Sequence, residues 1–307
     1  MILMEKKLAL ILGYRCNNNC RFCYCADKKD SGFLTTKRAK KELERGIKRG
    51  CTIADFSGGE PTLRKDLTEL IFFAKKIGYK NIGITTNGRM MSYKKLTRRL
   101  TEAGMNSAVF SIHGHTPELH DFLTRVKGSY GQLKKGIDNL RNVSPGAYIC
   151  TNTTINKYNY KYLPEIAENN IRLGAMGCEF IFVHPRGNAL ENFEEVVPKL
   201  TDLSHFIPKT LEIGEKNGIG HFRFRYLPLC YMTGHENSLS EAASFEILKE
   251  QHVGPDFKDL NVEKGRKLIG RIRGSVCKKC KVKEKCEGIF REYAERRGFG
   301  ELKPVVR

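Results

Sequence analysis

No stretch of this 307-residue sequence approaches the ~18 uninterrupted apolar residues that a membrane-spanning helix needs. The first residues, Met1-Ile2-Leu3-Met4-Glu5-Lys6-Lys7, lack the charged-then-apolar order and the cleavage site of a secretory signal. Internal repeats and low-complexity segments are missing too, and the 54 Lys and Arg residues form no continuous basic tail. Acidic residues are the scarcer charge: 34 Asp and Glu leave a formal net charge of +20. That imbalance admits nucleic acid, an anionic small molecule or an acidic peptide as a partner, and equally a solvated lysine-rich surface. With 40% hydrophobic and 29% charged residues the chain can bury a core, which argues against wholesale disorder. A soluble cytoplasmic protein of about two domains is the expectation.

What is present in excess is cysteine. There are 11, and paired disulfides are the usual reading only for short secreted chains. Cys16, Cys20, Cys23 and Cys25 crowd into ten residues, and Cys277, Cys280 and Cys286 into another ten. Such clustering points to metal. Cys51, Cys150, Cys178 and Cys230 are dispersed.

From the start to about residue 215, short β-rich runs alternate with amphipathic helical stretches. Leu8–Leu12 reads as a buried strand, and Thr36–Arg49 as a helix with Ala39, Leu43 and Ile47 on one face. Strand Thr52–Phe56 follows, then a helix with Asp66 and Glu69 at capping-box spacing and Gly78 at its stop. Strand Ile82–Thr86 precedes a helix from Ser92, and strand Ala108–Ile112 precedes a long loop and a helix near Gln132–Arg141. Tyr148–Ile155 and Cys178–Val183 are further strands, with Leu163–Leu173 helical between them. About six β-then-α units over residues 1–215 imply an α/β fold with parallel strands, a partial or closed barrel rather than an open sheet, and a partial (β/α)6 TIM-like barrel is the expectation. Reactive groups in such barrels sit at the C-terminal strand ends. Residues 216–307 read as a small cysteine-rich α+β domain: a strand Phe222–Leu227, a helix from Ser240 to Glu250, and a helix near Phe290–Arg296.

Directly after the first strand stands Cys16-Asn17-Asn18-Asn19-Cys20-Arg21-Phe22-Cys23, a C-x3-C-x2-C spacing. Three thiolates from one loop can hold three irons of a [4Fe–4S] cube and leave the fourth open to a ligand. Zinc is the alternative, but it wants four ligands; no His follows at the usual spacing, and Cys25 would have to serve.

This loop, with an aromatic residue before its third cysteine, resembles the signature of the radical S-adenosylmethionine (SAM) superfamily. Ser57-Gly58-Gly59-Glu60-Pro61 after the second strand is similar to the GGEP motif of that family. Thr85-Thr86-Asn87-Gly88 and Ser111-Ile112-His113-Gly114 follow at the next two strand ends, and Asn152 lies in the fifth strand. The match covers roughly residues 8 to 190. The resemblance implies Cys16, Cys20 and Cys23 as ligands of a SAM-binding [4Fe–4S] cluster. It implies Phe22 packing by the adenine, and Gly58, Gly59 and Glu60 holding the methionine end through carboxylate or carbonyl. Thr86, Asn87, Ser111 and Asn152 become candidates for ribose or carboxylate contacts, or strand-end polar groups satisfied by backbone. His113, His115 and the pair His120-Asp121 are candidate acid/base groups, with capping and solvated roles favoured. Arg125 could pair with a carboxylate, or be simply exposed.

Cys277, Cys280 and Cys286 form C-x2-C-x5-C, and Cys230 brings the thiols to four. The spacing is similar to part of the SPASM/twitch extension found after many radical SAM barrels, which implies a second, fully ligated [4Fe–4S] cluster. Phe290 stands where the fuller SPASM pattern would next place a cysteine, so one auxiliary cluster is the reading; a four-cysteine zinc site is the alternative. Cys25, Cys51, Cys150 and Cys178 are left as buried apolar thiols.

The resemblance implies an enzyme that cleaves SAM to a 5′-deoxyadenosyl radical and abstracts hydrogen from substrate, with a ferredoxin- or flavodoxin-type electron donor. Oxidative or bond-forming modification of a peptide or protein is the leading expectation. Modification of a nucleotide or RNA, suggested by the charge, is the second, and a nonenzymatic metal-stabilised binding protein the third. No separate peptide-recognition domain is evident at the N-terminus.

Overall fold

The computed structural model describes residues 5–242 and 248–306. Each sequence run with alternating burial becomes a strand of one large sheet. Strands β1 (Glu5–Ile11), β2 (Ile53–Ser57), β3 (Asn81–Thr86), β4 (Ser107–Ser111), β5 (Tyr148–Ile155), β6 (Gly177–Phe182) and β7 (His221–Arg225) lie side by side in chain order, all parallel. Helices α1 (Thr36–Lys48), α2 (Leu67–Lys76), α3 (Lys94–Ala103), α4 (Pro117–Thr124), α5 (Ser129–Val143) and α6 (Leu163–Arg172) supply the crossovers, with the helix Phe206–Lys216 leading into β7. The α/β half-barrel expected from the sequence is what forms.

Alternation sorts the two faces. On β1, Leu8 and Leu10 are fully buried against the helices, in a core that includes Leu43, Phe56, Ile71 and Phe110. Lys7, Ala9 and Ile11 point the other way, into the concave side. A second core, built on Phe180, Phe182 and Phe224, continues into the C-terminal segment through Ile289, Phe290 and Tyr293.

The sheet runs past residue 215 at both sides. β7 extends it beyond β6, and β8 (Leu248–Val253) adds parallel to the free side of β1, followed by the antiparallel β9 (Lys258–Asp259). The helix expected over Ser240–Glu250 is corrected accordingly. Its last three residues, Leu248–Glu250, are strand, and residues 243–247 lie outside the described ones. The unpaired backbone of β1 and the pairing of Glu250 with Lys7 override local helical preference there. Two smaller differences concern caps and loops. Asp66 starts α2 but makes no capping bond, because its carboxylate is taken by Arg64 and Thr36. The long loop after β4 contains α4, capped by Thr116 with Pro117 in its first turn.

The last segment is compact and short-ranged. A two-stranded ribbon, β10 (Arg271–Ile272) with β11 (Ile289–Phe290), brackets the second cysteine cluster, and the helix Arg291–Arg297 follows. Among the described residues, no helix is long and apolar enough to cross a membrane.

Candidate active site

The loop after β1 crosses the C-terminal ends of the strands and is held from three sides. The Asn19 and Arg21 amides donate to the Thr124 and Leu123 carbonyls at 3.0 Å each. Arg89 donates to the Asn17 carbonyl and to Asn18 Oδ1, and Asn188 donates to the Cys20 carbonyl at 2.7 Å. This posture points Cys16, Cys20 and Cys23 into one cavity of about 660 Å³. The Asn18 amide and the Asn87 side chain approach Cys16 Sγ at 3.3 and 3.6 Å, donors that favour a thiolate. Burial pushes the Cys16 thiol up to about 11, and pushes Cys20 up as well. A hydrogen bond with Cys25, whose sulfur is 3.7 Å away, brings Cys23 down to about 7. Three soft donors around one space, two of them reluctant to ionise without a cationic partner, fit an iron–sulfur cluster.

The second strand end packs against this loop through backbone. Gly59 donates to the Gly13 carbonyl at 2.9 Å and Glu60 to the Arg15 carbonyl at 2.8 Å. A Cβ on Gly59 would sit 2.2 Å from the Arg15 carbonyl oxygen, and Gly58, at φ +128°, leaves room for the Gly13 carbonyl. Only glycines allow that approach. The Glu60 carboxylate is buried and turned away from the cavity: it accepts from Thr62, from Thr86 Oγ1 at 2.7 Å and from the Asn87 amide at 2.7 Å. Glu60 thus ties the ends of β2 and β3 together. Asn87 then reaches Asn17 Oδ1 at 2.7 Å, in the cluster loop.

Phe22, Ser111 and Asn152 also line the cavity, with Ser111 and Asn152 opposite each other in the β4–β5 register. Phe22 meets the His113 ring edge-on, centroids 4.7 Å apart. His113 is not solvated. It is buried on the cavity wall, its Nδ1 accepting from the Thr154 amide and its own amide donating to His120 Nδ1, both at 3.2 Å. Burial, with His120 next to it, lowers its pKa well below the usual range, so the ring is neutral with its proton on Nε2. His120 is buried behind it, Asp121 caps the start of α5 through Gly128, Ser129 and Tyr130, and Arg125 is exposed. Sequence reasoning gave His113 too small a part; its place directly after the Ser111 strand end was the available signal.

The floor of the cavity was not foreseen. Lys7, Asp55, Glu179, Arg225, Glu250 and His252 all face it, from five different strands. Glu250 is 2.6 Å from Lys7 and 2.9 Å from Arg225, and Glu179 is 3.5 Å from Arg225. Burial would raise the Glu179 carboxyl, but Arg225, with His221 and Lys7, holds it down at about 2. Burial lowers His252 to about 4, so it carries no charge at neutral pH.

In the C-terminal segment, Cys286 Sγ accepts from the Leu229 and Gly288 amides at 3.4 Å, and Cys280 Sγ from the Val305 amide at 3.4 Å. Burial raises Cys230 to about 11, with Cys286 and Cys277 near enough to add to the rise. Among the described residues, no three Cys, His, Asp or Glu side chains converge tightly enough to grip a single ion. Cys25, Cys51, Cys150 and Cys178 are buried.

A model of the Radical SAM superfamily matches residues 10–169, more than half of the sequence. The chain belongs to that superfamily and is an enzyme of it, a family that works with a [4Fe–4S] cluster and SAM. It is 30% identical over 184 residues to the AdoMet-dependent heme synthase of Oleidesulfovibrio alaskensis, covering 59% of this chain and 46% of that protein. It is 28% identical over 221 residues to a probable GTP 3′,8-cyclase of Saccharolobus islandicus, covering 72% of this chain and 70% of the other. The fold is similar to that of SAM-bound SuiB from Streptococcus suis, with a TM-score of 0.69 at 17% identity over 98% of this chain and 76% of that one. AdoMet-bound anSMEcpe gives 0.65 at 14% identity, covering 98% of this chain and 93% of the other.

Proposed function

We propose that this enzyme uses SAM to abstract a hydrogen atom from a peptide or protein substrate, leading to an oxidised or newly bonded side chain. The observation that carries the reading is convergence: Cys16, Cys20, Cys23, Phe22, Gly58, Gly59, Ser111 and Asn152 line one cavity above a polar floor. Reductive cleavage of SAM at a [4Fe–4S] cluster supplies a 5′-deoxyadenosyl radical there. The protein's own part is to hold the reactants and exclude other hydrogen donors. Cys16, Cys20 and Cys23 would ligate the cluster. Backbone of Gly58 and Gly59 is the chain available for the methionine end, since the Glu60 carboxylate is occupied by Thr62, Thr86 and Asn87. Thr86 and Asn87 act by shaping the loop, and Phe22 with neutral His113 offers an adenine-sized apolar wall with one N–H donor.

Residues 216–307 carry the second set of thiols, and Cys230, Cys277, Cys280 and Cys286 are proposed to hold an auxiliary [4Fe–4S] cluster. A zinc ion needs its ligands converging on one point, whereas a cube takes one thiolate per corner. Cys277 and Cys280 form one close pair whose partners Cys230 and Cys286 are distant in sequence, whereas four-cysteine zinc sites usually arise from two close pairs; that spacing supports the cube.

The peptide reading is supported by architecture shared over 98% of the chain with SuiB, which has also been solved with its precursor peptide SuiA, and by an anSMEcpe complex with the Kp18Cys peptide. The match to the probable GTP cyclase over 72% of the chain favours a nucleotide as the second reading. An anaerobic turnover with SAM and a reductant separates them. Peptide pools should raise 5′-deoxyadenosine formation, and GTP should not; stimulation by GTP alone would overturn the peptide reading.

A further inference from the structure

The charged floor has a surplus. Among the groups that line it, Lys7 and Arg225 are the cations and Asp55, Glu179 and Glu250 the carboxylates. Glu250 is paired with both cations, and Glu179 takes Arg225 together with a 3.0 Å hydrogen bond from Ser240 Oγ. Asp55 is left over. Among the described residues it has no ion-pair partner within 4 Å, and its donor is Thr85 Oγ1, 3.3 Å from each of its oxygens. Such a carboxylate keeps lone pairs free toward the cavity. Burial raises the pKa of its carboxyl, and the nearby charge of Lys7 and the long Thr85 hydrogen bond offset that cost only in part, with Glu250 and Glu179 working against them. In a chain of net charge +20, where cations are abundant, its isolation is not a shortage of partners.

Its place in the strand gives the isolation a use. Asp55 lies two residues before Ser57 on the same face of β2, about 7 Å deeper along the strand. It therefore looks into the same cavity as Gly58 and Gly59, one layer below them.

We propose that Asp55 is the substrate-recognition carboxylate of this cavity and receives a cationic nitrogen of the substrate, an ammonium or a guanidinium. This rests on the reading that the substrate occupies the cavity beside SAM, and it narrows the substrate to one presenting a basic side chain or amino group. A charge-assisted bond to a desolvated carboxylate that has no ion-pair partner within 4 Å discriminates strongly against an uncharged isostere, because the acid otherwise lacks a direct cationic partner.

The test uses the reconstituted protein with SAM bound and no reductant. Binding of acetyl-Gly-Lys-Gly-amide and of its norleucine isostere is measured by calorimetry, alongside n-butylammonium and n-butanol. The lysine peptide should bind at least about tenfold more tightly than the norleucine one, and Asp55→Asn should bring the two together, with retained SAM binding showing that the variant is folded. Equal binding of the two peptides to the wild-type protein, or an undiminished preference in Asp55→Asn, would overturn the assignment. The wild-type comparison stands without any variant. Preference for n-butylammonium over n-butanol, lost in Asp55→Asn, with neither peptide binding would uphold Asp55 and defeat the peptide reading. Peptides binding regardless of charge would do the reverse.

Discussion

Arg225 on β7 and Glu250 on β8 belong to strands separated by six others in the sheet, yet their side chains meet at 2.9 Å across its concave side. The sheet has curled until its two flanks face each other, and this ion pair bridges the gap that backbone hydrogen bonds leave open. Arg225 also lies 3.5 Å from Glu179 and 3.9 Å from Glu241. One guanidinium thus neutralises carboxylates from three separate segments.

Removing that guanidinium strands buried acids. Arg225→Met is expected to cost about 3 kcal/mol, the range for breaking a buried pair from one side. A urea titration of the cluster-loaded protein checks this through the midpoint. A shift no larger than that of an exposed control such as Lys94→Met would show the bridge to be dispensable.

The same bridge predicts acid sensitivity. Glu179 is held at about 2 and Glu250 well below its ordinary value. A carboxyl whose pKa is depressed by folding contributes stability that is present above its unfolded value, about 4.3, and lost as pH falls toward the folded one. Stability should therefore drop between about pH 4.5 and 2, and Glu179→Gln should flatten that slope. A stability profile measured across this window in both proteins decides it.

Gly59 leaves no space for a side chain. The Cβ of Gly59→Ala would meet the carbonyl oxygens of Arg15 and Tyr14 at 2.2 and 2.4 Å, both backbone atoms of the cluster loop. The variant should lose SAM affinity and part of its iron while Gly131→Ala, which meets nothing within 4 Å, stays near wild type. Iron content and SAM titration on the two variants supply the comparison.

Glu60→Gln separates bracing from direct binding. Its carboxylate accepts hydrogen bonds from Thr62, Thr86 and Asn87, and an amide would turn a donor toward one of them. A stability loss of about 2 kcal/mol is expected, accompanied by weaker SAM binding as Asn87 and the loop it holds relax. Weaker SAM binding with unchanged stability would instead place the carboxylate on the ligand.

The barrel and the cluster loop were legible because their signals are local. Strand alternation, helix spacing and the C-x3-C-x2-C run each sit within a few residues, and the motifs fall at consecutive strand ends. The cavity floor was illegible for the opposite reason. Lys7 and Glu250 are brought together by strand pairing across most of the chain, and Glu250 read locally as the end of a helix. The Glu60 carboxylate shows a subtler limit. Its motif was plain, but that it faces Thr86 and Asn87 depends on how β2 and β3 end relative to each other. His113 differs again: a polar residue in a glycine-rich loop suggests exposure, and only the packing of α4 and Phe22 around it produces burial.

For the C-terminal thiols, Cys286→Ala should lower the iron of the reconstituted protein by about half, from two cubes to one. It should leave SAM binding in place, since Cys286 lies outside the cavity lined by Cys16. Elemental analysis for iron and zinc distinguishes this from loss of a single zinc ion.

Cys16, Cys20 and Cys23 are proposed to support radical cleavage of SAM. The most direct measurement is 5′-deoxyadenosine formed from SAM and a chemical reductant by anaerobically reconstituted protein, wild type against Cys16→Ala. The wild type should form deoxyadenosine, and a folded Cys16→Ala whose C-terminal iron is retained should form none above background. Equal deoxyadenosine from both proteins would contradict that proposal.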